Sequence, residues 1–502
     1  MFNFKQWLIL GVVSSALLLI VMDSTILYTA LPSLTHDLGA SASEKLWILN
    51  GYSLIMAGLL PAMGTLGDRY GHKKIFALGL LAFTATSLLA AFAPNPTVLI
   101  VARVLLAIGA SMMMPATLSI IRVTFTDSRE LGFAIGIWAA IASGGAGVGP
   151  IVGGFLVQHY WWGAAFLINI PIAILAFILT LLYVPSHEGN KDRKWDITGS
   201  IQIMISMVAI VFAIKEFAKR DGSSAIASVS AIIGIVVLLI FICRMLRSSK
   251  PLLDLSLFKI SPFTVGCITA AVGFFGQLGI QYIVTQRLQL VEQLTPLQAG
   301  LITFSIPAAA FVAGPLVGKM MHRYNVIRIK SVSLLIGAAG TIIYLLQFDA
   351  GILGQIIGLA LLGGGLGAGM TAASHSIMSS APPEKAGMAA SIENVAYEVG
   401  GATGIAIVGS LSGLMYTLRM SIPKGIQVPA NVKDSLDETL LFAENLPTDA
   451  SELLRAAGRA AFDESLSFVL IGLIALLILT ALAMEWIGVR SRNSMLERRY
   501  RD

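Results

Sequence analysis

The stretch Pro61–Gly71, PAMGTLGDRYG, returns 254 residues later as Pro315–Asn325, PLVGKMMHRYN. The two align without a gap: Pro61 with Pro315, Gly64 with Gly318, Asp68 with His322, Arg69 with Arg323, Tyr70 with Tyr324 and Gly71 with Asn325. Asn is among the few residues besides Gly that tolerate a left-handed turn, so the last pair predicts the same turn twice. Each copy closes an apolar run of about twenty residues, the length of a membrane span. Basic residues follow (Lys73, Lys74; Arg328, Lys330), and then another apolar run. A charged tight turn between two spans, once per half, predicts a duplicated helical membrane protein. Parallel duplication of helical halves is the architecture of many secondary transporters.

Composition agrees. The 502 residues are 56% hydrophobic and only 12% charged, where a soluble domain carries roughly a quarter charged residues. Lipid is therefore the solvent for most of the chain. Cys243 and Cys267 fall near span ends without metal-like spacing and read as reduced and structural, and the scattered histidines form no ligand pair. Gly314–Lys319, GPLVGK, misses the phosphate-loop spacing and is followed by Met320 instead of Ser or Thr, so ATP is not the expected energy source. The run from Trp7 is too long for a signal peptide, carries Asp23 and lacks a clear cleavage site, so it is read as the first span. No cofactor, metal or enzymatic chemistry is called for.

Runs long enough to cross a ~30 Å hydrocarbon layer lie near 7–31, 46–66, 75–93, 97–120, 132–157, 161–184 and 198–214, then near 224–243, 262–286, 296–318, 327–347, 351–374, 387–412 and 466–488. That predicts fourteen spans. With the N-terminus inside, cytoplasmic segments hold 23 Lys and Arg and outer segments 10, so both termini are expected in the cytoplasm. Topology explains the net charge of +6, and no nucleic-acid partner is needed. The echo places spans 1–6 in one half (1–184) and 9–14 in the other (262–488), with a link and two inserted helices between them (185–261) and a basic tail at 489–502. The outer segment 416–464 carries eight acids. Its apolar spacing (Leu436, Leu440, Leu441; Leu453, Leu454, Ala457) predicts one or two short amphipathic helices.

Ionisable groups in lipid cost roughly 2.5–3.5 kcal/mol each on insertion scales. Asp23, Arg103, Glu393 and Glu398 nevertheless lie well inside spans. At 1.5 Å per residue, Asp23 sits about 12 Å below the outer end of its span and Glu398 about 16 Å above the inner end of its own. Either such acids are neutralised by buried partners and lock helices together, or they face a central cavity and exchange protons for a cationic ligand. The second reading is preferred for Asp23 and Glu398. A lone Asp23 could then lose its charge with little effect on folding. On span 13, Glu393 with Tyr397 and Asn394 with Glu398 are i,i+4 pairs, giving one polar side. Tyr52, Met112, Met113, Trp138, Phe274 and Phe275 are candidates to complete a cation pocket, since aromatic faces attract cations. Gly145, Gly149, Pro150, Gly153 and Gly154 make span 5 a close-packing helix with a missing backbone donor.

These motifs together resemble the major facilitator superfamily, specifically its fourteen-span drug:proton antiporters, and among them exporters of quaternary ammonium compounds and methyl viologen. Met22–Pro32, MDSTILYTALP, is similar to the family's first-span acidic motif, carried here by Asp23. Gly64–Lys74 resembles the loop 2–3 motif, with Asp68, Arg69, Gly71 and Lys73 in place. Gly145–Gly154 fits the antiporter motif gxxxGPxxGG at every fixed position. Arg103 stands at the arginine of the span 4 motif RxxqGxg, while Leu106 and Ala107 replace its Gln and first Gly. The acid that some relatives place in span 10 is missing between 296 and 318.

The resemblance implies an all-α fold of two six-helix bundles plus two inserted helices in a bacterial cytoplasmic membrane, expected as a monomer. It implies proton-driven export of small lipophilic cations, with Asp23, Glu398, Glu393 and Arg103 coupling cation to proton and the loop 2–3 motif gating the inner face. Alternatives are export of an anionic or zwitterionic metabolite bound by Arg103, or a membrane sensor or scaffold using the outer segment.

Overall fold

A computed structural model describes residues 4–186, 196–218, 222–248, 251, 253–321, 323–382 and 386–499. Most of the link expected at 185–196, and His322 of the second turn, lie outside the described residues. The helices are α1 Phe4–Leu38, α2 Ala42–Tyr70, α3 His72–Ala91, α4 Pro96–Thr124, α5 Ser128–His159, α6 Ala164–Tyr183 (broken at Ile168), α7 Ile197–Ala218 and α8 Ser224–Arg247. They continue as α9 Ser261–Val291, α10 Pro296–Met320 (broken at Phe304), α11 Val326–Gln347, α12 Ile352–Ser380, α13 Ala386–Arg419, α14 Leu436–Ala443 and α15 Thr448–Arg499. Thirteen helices among the described residues are long and apolar enough to cross a membrane. The remaining expected span, 132–157, falls on α5, helical over 32 residues, whose side chains are described only in part.

Helix is the only element that satisfies its own backbone in lipid, apart from a closed barrel, and these helices carry their start signals in sequence. Ser41 and Glu44 close a reciprocal capping box on α2, and Thr295 with Gln298 does the same on α10. Asn95 caps α4 ahead of Pro96 at its first position. The outward faces stay apolar: on α8, Ile226, Val229, Ile232, Ile233 and Val236 are all exposed, as lipid contact requires.

The two turns of the repeat are not conformational twins. Gly71 has φ +94° and ends α2, and its N–H reaches the Gly67 carbonyl at 2.8 Å. Asn325 has φ −62°, and its side chain accepts the Ile327 N–H at 2.8 Å as the N-cap of α11. The expected left-handed Asn is therefore corrected: the polar side chain is used as a cap, which suits Asn as well as the turn would.

The outer segment holds the expected short helices, but the second is continuous with the last span. Helix α14 buries Leu436, while Leu454 lies on α15, which starts at Thr448 and not near 466. One helix of the inserted pair, α7, packs on both halves. Met207 and Val211 of α7 pack with Leu54 and Ala57 of α2 and Ala402 and Ala406 of α13, so α7 covers a seam between the halves.

Candidate functional site

Asp23 is not alone. The Arg103 guanidinium donates to one of its carboxylate oxygens, and Asn169 of α6 donates to the other at 3.0 Å. Asp23 and Arg103 are 2% and 1% exposed. Arg103 also donates from Nε to the Ile48 carbonyl at 3.2 Å and stacks over Tyr52 at 4.5 Å. The expectation of a lone first-span carboxylate is corrected, because α1 and α4 bring the two in-span charges of this half together. Asn169 was missed; an Asn inside the apolar run NIPIAIL was the available signal.

Glu398 comes from the other half and reaches the same region. It lies near Ser53 of α2 and near Tyr28 and Tyr52. It is half-buried, and no basic side chain pairs with it among the described residues. Glu393 is 5% exposed and accepts from the Tyr397 hydroxyl at 2.7 Å, the expected i,i+4 contact. The Phe274 ring packs on Tyr397 with centroids 4.9 Å apart. Asn394 makes no hydrogen bond to Glu398. Tyr52, Phe274 and Tyr397 thus stand beside the acids, whereas Met112 and Met113 pack around Gly79 of α3. Phe275 lies against Gly404 on α13, and Trp138 donates to Thr117 at 3.0 Å. Lys330 of α11, also buried, donates to the Ser376 hydroxyl at 3.1 Å.

The glycines of α5 meet their partners at backbone distance. A Cβ on Gly149 would stand 1.9 Å from Thr25 Oγ1, and Gly145 and Gly153 face Leu18 and Thr29 of the same helix α1. Gly154 turns to the other half, where a Cβ would be 2.5 Å from the Pro296 carbonyl of α10. Pro150, one turn earlier, holds its carbonyl against Gly300. Around the 2–3 turn, Asp68 pairs with His72 at 3.1 Å, Arg69 lies over Tyr70 at 5.4 Å, and Lys73 donates to the Leu181 carbonyl at 3.0 Å. Gly64 faces Pro115 of α4.

Buried charged groups thus stand where the two helical halves meet. The family model described as "Major Facilitator Superfamily" matches residues 13–405. The chain belongs to the major facilitator superfamily. It is a membrane transporter of this superfamily and not an enzyme. It is 35% identical over 489 residues to the methyl viologen resistance protein SmvA of Salmonella typhimurium, covering 96% of this chain and 98% of that one. Identity is also 35% over 489 residues to the multidrug efflux pump LfrA of Mycolicibacterium smegmatis, at 97% of both chains. A bacterial homologue of the lysosomal transporter Spinster has the same fold, with a TM-score of 0.65 at 16% identity over 98% of each chain.

Proposed function

We propose that this superfamily member exports lipophilic cations, including quaternary ammonium compounds and methyl viologen-like dications, in exchange for protons. The observation that carries this is Glu398: a carboxylate with no basic partner among the described residues, at the junction of the halves, beside an Asp23–Arg103 pair that is already neutral. A group there can hold a proton or a cation but not both. The names of the relatives, methyl viologen resistance protein and multidrug efflux pump, support that substrate class.

The cycle follows from competition. Glu398 loses its proton toward the cytoplasm and takes a cation with the faces of Tyr28 and Tyr52 beside it. It releases the cation outside when a proton returns. Asp23, Arg103 and Asn169 form the neutral wall of the site, and Glu393 with Tyr397 forms the next acidic group toward the cytoplasm. Glu398 therefore takes the larger share of the coupling first divided between it and Asp23. The face bearing both termini is assigned to the cytoplasm by its excess of Lys and Arg, with Asp68, Arg69, Gly71 and Lys73 as its gate. The membrane potential contributes ~2.3 kcal/mol per net charge per 100 mV, so exchanging more than one proton per monocation harnesses it.

Export of an anion has less support, because Arg103 is already engaged by Asp23, the Ile48 carbonyl and Tyr52. Uptake of ethidium into inverted vesicles tests the reading. Proton-dependent uptake is expected, and absence of uptake at full expression contradicts it.

A further inference from the structure

A second cavity, of about 220 Å³, lies away from the central acids at the face that carries the α1–α2 turn. Its walls include Lys45 and Trp47 at the start of α2, Phe212 and Lys215 at the end of α7, Gln286 of α9 and Glu438 of α14. It is far larger than the ~10–15 Å³ that a single water needs. Lys45 is matched: it donates to Asp437 and, at 2.6 Å, to Gln286 Oε1. Lys215, Gln286, Glu438 and the Ser410 hydroxyl are not.

Lys215 is 7% exposed, yet its ammonium contacts only the Ser43 carbonyl at 3.3 Å and the Trp47 face at 4.0 Å, with no carboxylate in ion-pair range among the described residues. Its neighbour Glu216, also in the cavity wall, accepts the Ser223 N–H at 2.9 Å. Gln286 is 3% exposed and its amide nitrogen has no acceptor. Glu438 Oε2 is a buried acceptor without a donor, and burial pushes its carboxyl up from the ordinary range. Buried charges and amides are rarely left unmatched, because the desolvation cost is then uncompensated. The donors of Lys215 and Gln286, the Glu438 acceptor and the Ser410 hydroxyl, which can do either, stand around a single cavity and call for a ligand with both an anionic and an ammonium end.

We propose that this cavity binds the phosphate–ammonium head group of a phosphoethanolamine lipid, with the phosphate on Lys215 and Gln286 and the ammonium on Glu438. A phosphate accepts strongly from a lysine and an amide, and an ammonium satisfies the orphan carboxylate oxygen. The membrane, not the aqueous phase, is the source. Lys215 sits three residues from the end of α7, at head-group depth, on the inserted pair whose partner α8 presents an apolar face to lipid. Trp47 and Phe212, with ring centroids 6.4 Å apart, supply the aromatic wall usual at that level.

The test counts lipids retained by the purified full-length transporter, using native mass spectrometry after equilibration with phosphatidylethanolamine or phosphatidylglycerol. Wild type is expected to retain phosphatidylethanolamine several-fold better. Lys215→Gln should reduce retention of both lipids about tenfold, the loss of one charge-assisted contact, and Lys215→Arg should restore it. Glu438→Gln should weaken phosphatidylethanolamine alone. Gln286→Met leaves every charge in place and should also lower retention, which decides the matter should Lys215→Gln fail to fold. Equal retention of the two lipids by wild type, wild-type retention by the Lys215→Gln or Gln286→Met variants, or displacement of the lipid by equimolar soluble glycerophosphoethanolamine would each overturn the proposal.

Discussion

At the scale of single residues, the account turns on which buried charges are matched. Removing one member of a buried pair leaves the other uncompensated and costs roughly 3–5 kcal/mol, while replacing both is often neutral. Arg103→Met should therefore destabilise the protein by about that amount, seen as a drop in thermal unfolding temperature in detergent. The Asp23→Asn/Arg103→Met double variant should recover most of the stability and none of the transport. Recovery of transport as well would make the pair purely structural. Glu398 is the opposite case, an acid with no basic partner among the described residues. A dication feels twice the Coulomb attraction of a monocation at the same distance, and each 1.4 kcal/mol is tenfold in affinity. Glu398→Gln should thus weaken binding of methyl viologen-like dications at least several-fold more than binding of ethidium-like monocations. Side-by-side binding to the purified transporter at one pH is the measurement, and equal losses would remove Glu398 from cation binding.

At the scale of elements, α5 is the clearest case of sequence acting through shape. Its glycines admit α1 at a distance where a Cβ on Gly149 would overlap Thr25. Gly149→Ala should reduce transport, Gly149→Leu should abolish it at normal expression, and Thr25→Ala should partly rescue the alanine variant, as growth in methyl viologen would report. Full activity of Gly149→Leu would mean that the close approach is incidental. This contact was legible in the sequence because small residues at four-residue spacing have one main use in membranes. The partners of Asp23 were less legible. Arg103 lies 80 positions away and Asn169 146 positions away, and nothing in a linear pattern says which faces of α1, α4 and α6 meet. The contact of Met113 with Gly79 on α3 was not legible for the same reason: an apolar side chain fits a cavity wall and a helix contact equally. The Asn325 cap was misread because Asn serves both left-handed turns and N-caps, and φ chose the second.

At the scale of the whole molecule, the two halves meet closely at the face away from the termini. Gly154 abuts Pro296, Leu46 packs on Gly409, Gln289 donates to the Thr29 carbonyl at 3.1 Å, and Lys45 joins Asp437 and Gln286. The Lys45–Asp437 pair fastens the outer-segment helix α14 to the start of α2. Lys45→Met should loosen α14, seen as faster amide exchange there, and the charge swap Lys45→Asp/Asp437→Lys should restore protection. Unchanged exchange in Lys45→Met would show that apolar packing alone holds the segment. The repeat in the sequence foretold two halves, but not that α7 would cover their seam, because a long apolar run looks the same whether it faces lipid or protein on one side. The most direct test of proton-for-cation exchange at Glu398 is ethidium uptake into energised inverted vesicles carrying wild type or Glu398→Gln at matched expression. The account predicts wild-type uptake that collapses when an uncoupler dissipates the proton gradient, and no gradient-dependent uptake by the variant. Wild-type uptake that survives the uncoupler, or gradient-driven uptake by Glu398→Gln at the wild-type rate, would contradict it.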